Sequence, residues 1–199
     1  MTRKLIRLAL SAQLIAILVA CLALSGFTSC SITNPIQAQS QLTRVSKASK
    51  SIAQYTGEAI SLVRTSYENG LIKLEVKDKI AGALKQFSVD GKSFNDLVAS
   101  LVKQYSAGTL PPNVWALVVQ SFDQLTKTFV DIVSSIPAAA GLADSKAFKI
   151  ITAAVVTIAQ VLISVGANVM PSWRAIERAA PNWRDTLPLF NKEVLGELA

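Results

Sequence analysis

The chain has 199 residues, is 51% hydrophobic and carries 20 basic and 13 acidic side chains, no histidine and two cysteines. Without histidine the usual neutral-pH base and metal ligand is missing, and two cysteines cannot build a disulfide framework across a domain. The formal charge of +7 is mild once Arg3, Lys4 and Arg7 are set aside, and the other lysines are spread among acids, as in Glu75-Val76-Lys77-Asp78-Lys79. A nucleic-acid binder would need a basic stripe or a recognisable motif, so no nucleic-acid partner is expected.

Residues 1–30 read as a signal or anchor segment. Arg3, Lys4 and Arg7 precede an uncharged apolar run from Leu8 to Phe27, the pattern of an export leader and also a length that spans a bilayer. Either reading sends the body out of the cytoplasm, because the basic flank stays inside. Both cysteines lie here. Leu18-Val19-Ala20-Cys21 and Phe27-Thr28-Ser29-Cys30 each resemble the bacterial lipobox, in which a leucine and two small residues precede a lipid-modified cysteine. Cys21 is followed by more apolar residues, whereas Cys30 is followed by Ser31-Ile32-Thr33-Asn34-Pro35, a polar tether. Cys30 is therefore the expected lipidation site, with Cys21 the alternative. An uncleaved anchor, or cleavage after Ala38, would replace lipidation, and two cysteines simply buried in an apolar helix are the plainest reading.

Residues 31–40 read as a polar linker. A first helix is expected over Gln41–Glu68, with Leu42, Val45, Ser49, Ile52, Thr56, Ala59, Val63 and Ser66 recurring at steps of three and four. Asn69-Gly70 should end it, since glycine tolerates the left-handed conformation after a helix. A second helix is expected over Leu74–Ser106. Its stripe (Val76, Ile80, Leu84, Phe87, Gly91, Phe94, Val98, Leu101, Tyr105) runs through Gly91 without losing register, although Ser93-x-x-Asp96 resembles a capping box. A third runs from about Pro112 to Ile136 and is plainly amphipathic. A fourth, Ser145–Met170, has Phe148, Ile151, Val155, Ile158, Leu162, Val165 and Val169 as its inward stripe and is uncharged from Ile150 to Met170. That run is long enough to cross a bilayer, but Gln160, Ser164 and Asn168 would be costly against lipid, so a core helix with one thinly solvated edge is expected.

Residues 171–199 form a tail with an internal echo, Pro171-Ser172-Trp173-Arg174 and Pro181-Asn182-Trp183-Arg184. Each reads as a helix start, so two short helices or turns are expected, with Lys192–Leu198 closing the second. A tryptophan beside an arginine suits a membrane interface or a partner contact; the indoles plugging the end of the core is the competing reading. The sequence holds no phosphate-cradling glycine loop, zinc spacing or nucleophile elbow. No catalytic residue, metal site or cofactor is expected, and carboxylate pairs such as Glu75 and Asp78 read as solvated surface.

Four stripes joined by short turns predict an all-α chain: an up-down-up-down four-helix bundle over residues 41–170, with an N-terminal signal or anchor helix and a short helical C-terminal tail. The leader, the Asn69-Gly70-Leu71-Ile72 helix end and Gly91-Lys92 at the middle of a long helix resemble small helical bacterial envelope proteins that have no known activity. The resemblance implies the bundle and no functional residue. The expected protein is non-enzymatic, held to the membrane of a bacterial envelope by its N-terminal segment and binding or supporting an envelope protein. The alternative is a membrane-active, pore-forming protein using residues 150–199. A small-ligand groove between the first and fourth helices, at Ala153, Ala154, Ala159 and Gly166, ranks below both.

Overall fold

The computed structural model describes residues 35–136 and 141–196. These residues are all-helical, with no strand among them. The leader, Cys21 and Cys30 lie outside the described residues.

Helix α1 spans Pro35–Glu68. It begins earlier than the expected Gln41, so residues 35–40 are helical rather than linker. Proline suits a first helical turn because its missing N–H has no intrahelical role there, and Gln, Ala and Ser continue the helix at little cost. The tract Ile36–Ala38, read as a cleavage site, falls within α1, and Ala38 is buried. All eight positions of the predicted α1 stripe are buried. The helix closes as expected: Gly70 sits at φ +73°, and Leu71 N donates to Ser66 O at 2.9 Å, which satisfies a carbonyl the helix end would leave open.

Helix α2, Leu74–Ser106, is unbroken through Gly91. Gly91 is buried, and a Cβ there would stand 3.1 Å from Ile52 Cγ2 of α1. The glycine is thus a point of close helix approach rather than a break. Val76 and Tyr105, at the two ends of the predicted stripe, are only half-buried. Helix α3 spans Val114–Ser135, slightly shorter than predicted. Phe87 and Phe94 of α2 meet Phe129 and Phe122 of α3, with ring centroids 6.4 and 6.3 Å apart. The falling numbers on one helix against rising numbers on the other show the two to be antiparallel. All four rings are at most 1% exposed, and each such side chain contributes roughly 1.5–3 kcal/mol by leaving water.

After a 3-10 turn at Leu142–Asp144, helix α4 spans Lys146–Ser164. Ser145 caps it, its hydroxyl accepting from Phe148 N at 3.4 Å. The helix stops well short of Met170. Gly166, at φ +77°, reverses the chain, and Ala167 N donates to Leu162 O at 2.9 Å. Helix α5 follows at Met170–Ala179, with Pro171 in its first turn as predicted. Pro181 instead lies in a turn, and a 3-10 segment starts at Trp183 (Trp183–Thr186). A one-turn helix α6, Leu187–Phe190, and a π-helical turn, Asn191–Leu195, complete the described chain.

Helix α1 packs along both α2 and α4, and α2 along α3; α5 docks on α3, while the C-terminal turns lie on α4 and α1. Contact between α3 and α4 is slight by comparison. The result encloses α4, whose residues from Ala153 to Ala159 are buried in every direction.

Candidate functional site

The tail residues singled out in the sequence are brought together, but not as a free surface. Trp173, on α5, and Trp183 meet edge to face with ring centroids 5.3 Å apart and planes at 73°. Such geometry suits the quadrupoles of two indoles. Trp183 is 7% exposed and Trp173 is half-buried. The fold brings Trp183 there because Thr186 donates to the Trp183 carbonyl at 2.6 Å, tightening the 3-10 turn that follows α5. The Arg184 guanidinium lies 4.5 Å over the Trp183 ring, a cation–π contact on its outer side. Arg174 is exposed, and its carbonyl accepts from Arg178 Nε at 3.2 Å. Trp183 therefore closes the end of the core, while Arg174 and Arg184 reach solvent together with Pro171, Pro181 and Asn182.

Below Trp183 a hollow of about 250 Å³ has an apolar floor of Val133, Ile136 and Phe148 and a polar rim that includes Asp144, Lys149 and Asp185. Lys149 and Asp144 stand 3.9 Å apart across that rim. A second hollow, about 450 Å³, lies between α3 and the start of α5. Its wall is pinned by the Ser172 hydroxyl donating to Asp123 at 2.5 Å, which sets a carboxylate against the positive end of the α5 dipole. Thr126 lines this hollow; its hydroxyl is buried and meets no partner among the described residues. Neither hollow was foreseen. Both form where the tail folds back on α3 and α4, and no local signal in the sequence announces a contact such as Asp123–Ser172. Of the groove expected at Ala153, Ala154, Ala159 and Gly166, the three alanines are packed shut, each 0% exposed, and Gly166 lies in the exposed turn after α4.

The buried hydroxyls serve helices. Thr56 donates to Ile52 O and Ser51 to Ala48 O, while Ser49 reaches across to Asn95 at 2.9 Å. The Lys146 ammonium has its pKa raised above its ordinary value of 10.5, chiefly by its hydrogen bond to Glu193 at 3.0 Å. Among the described residues no group of three or more acids, cysteines or histidines is placed to hold a metal ion. One described helix, α4, is long and apolar enough to cross a membrane, and 78% of that stretch is buried within the fold. The chain matches no protein-family model, no curated protein and no solved structure.

Proposed function

We propose that the protein is a non-enzymatic module of a bacterial envelope, held to the membrane by its N-terminal segment, with its body outside the cytoplasm. In this reading α1 to α4 form an up-down-up-down four-helix bundle that binds or supports an envelope partner, and the anchor is a lipid on Cys30, with Cys21 the alternative. One observation carries the proposal. The apolar surface of α4 is already covered inside the body, which leaves Leu8–Phe27, with its basic flank, as the run free to engage a bilayer. The tail is a cover over α4, and Arg174 and Arg184 are its candidate partner contacts.

The test is the intact mass of protein recovered from the membrane fraction of a bacterial host. A chain starting at Cys30 with added acyl groups supports the lipoprotein, and Cys30→Ser should then abolish the acylated species. A full-length mass supports an uncleaved anchor. A chain recovered only in soluble fractions contradicts membrane attachment. Turnover of a substrate by the purified protein would contradict the non-enzymatic reading.

A further inference from the structure

The paired helices α1 and α2 are unevenly charged along their length. From Pro35 to Gly57, α1 carries Arg44, Lys47 and Lys50 and no acid; its first acid is Glu58. The matching stretch of α2 carries Lys92 and Lys103 with two acids, Asp90 and Asp96, of which Asp90 is half-buried. The Ser49–Asn95 hydrogen bond and the Gly91–Ile52 approach set these two stretches side by side. All five bases are exposed. Among the described residues none of them is within ion-pairing distance of a carboxylate, the bridged lysines being Lys77, Lys146 and Lys149. Lys47 donates one N–H to the Leu195 carbonyl at 3.3 Å and has two more to offer. The other half of the pair is mixed, with Glu58, Glu68, Glu75 and Asp78 among its bases.

The basic half is also the half joined to the apolar run. Residues 28–34 can span at most about 25 Å when fully extended, and Arg44 lies about 14 Å further along α1 at 1.5 Å per residue. A body tethered this closely meets the membrane surface at high effective concentration. Protein interfaces place an apolar core inside a polar rim. The large apolar side chains exposed on this helix pair are instead Tyr67, Leu71 and Leu74 at the far end, with Val89 standing alone between. A basic face without an apolar centre fits charged headgroups better than it fits a protein.

We propose that the basic half of the α1–α2 pair, through Arg44, Lys47, Lys50, Lys92 and Lys103, docks on anionic phospholipid headgroups, so that the body lies along the bilayer on this side. The proposal rests on the membrane-anchored reading above. Juxtamembrane bases are drawn to anionic lipid only within about a Debye length, so the contact is short-ranged and sensitive to salt.

The experiment uses the full chain in vesicles of phosphatidylcholine alone or mixed with phosphatidylglycerol. A pulse of a membrane-impermeant amine-acylating reagent is followed by mass spectrometry of each lysine. Labelling of Lys47, Lys50, Lys92 and Lys103 should fall by about threefold in the anionic vesicles and recover at roughly 0.5 M salt. Lys73, Lys77 and Lys79, at the other end, should label alike in both. Equal labelling of the basic half in the two vesicle types overturns the proposal, as does protection of Lys73–Lys79 instead. Failure of the anchoring itself reads out separately, as protein left in the supernatant with both kinds of vesicle.

Discussion

Helices α1 and α4 lie side by side, joined where Gln41 donates to Ser164 at 3.1 Å, yet they are buried in opposite ways. Helix α1 is 34 residues long and hides one side, with serine and threonine on it, while its other side stays open to solvent. Helix α4, at 19 residues, is shorter and is covered by α1 on one side, the C-terminal turns on another, and α3 and α5 beyond them. Only Lys146, Gln160, Ile163 and Ser164 of α4 are exposed. The difference teaches that apolar length alone does not identify a membrane span. A helix wrapped by its own chain reaches the same composition as one wrapped by lipid.

The comparison breaks most sharply if a charge is placed in α4. Ile158→Asp puts a carboxylate where no partner or water can meet it, and the expected loss exceeds about 4 kcal/mol. Thermal melts followed by circular dichroism should show no cooperative transition, whereas Gln54→Asp on the open face of α1 should leave the melt within about 0.5 kcal/mol of the parent. A melt unchanged by Ile158→Asp would mean that α4 is not enclosed.

Next in size is the α2–α3 interface, where Phe94→Ala should cost about 3–5 kcal/mol in urea denaturation, the cavity adding to the lost transfer energy. A cost below about 1 kcal/mol would show that the phenylalanine cluster is not packed as described.

The α1 side is sharpened by a pair of glycines in α2. Nothing stands within 4 Å of a Cβ at Gly82, so Gly82→Ala should stabilise by about 1 kcal/mol through helix propensity. Gly91→Ala gains the same propensity but presses on Ile52, and a net loss of about 1 kcal/mol is expected. Removing the obstacle with Ile52→Ala should make Gly91→Ala less costly in that background than in the parent; two glycines behaving alike would remove the close approach from the account.

The smallest effect belongs to Lys146 and Glu193, which tie the tail to α4. The folded state raises the Lys146 pKa, so the contribution of this pair is complete below the ordinary value of 10.5. It fades as pH rises through the higher folded value. Glu193→Gln should lower the melting temperature slightly at neutral pH, the effect being small because both side chains are well exposed, and its difference from the parent should vanish as pH rises through the folded value. An unchanged alkaline slope in the variant would assign it to another group.

How much could be read beforehand follows the same divide. All eight positions of the α1 stripe were legible, because a helix with one buried face writes its period into the sequence, but Ala48, Ser51 and Tyr55, buried beside it, were not. The unbroken course of α2 through Gly91 was legible for the same reason. Of the predicted α4 stripe, Phe148, Ile151, Val155, Ile158, Leu162 and Val169 are buried and Val165 is half-buried, but Ile150, Val156, Thr157 and Val161 are buried too, and periodicity fades when every face is covered. The end of α4 was misplaced because the apolar run continues through Val165 and Val169, while the reversal depends on Gly166. Trp173 and Trp183 were found as a repeat, but their stacking depends on a fold-back that no local pattern encodes.

The most direct test of the enclosed α4 is amide hydrogen exchange on the full chain in lipid vesicles, followed residue by residue across a urea series. If α4 belongs to the body, residues 150–164 and the α2 residues around Phe87 and Phe94 should lose protection at the same urea concentration. Protection of 150–164 that persists after α2 has opened would mean that lipid, not the rest of the chain, shields this helix, and would contradict the account.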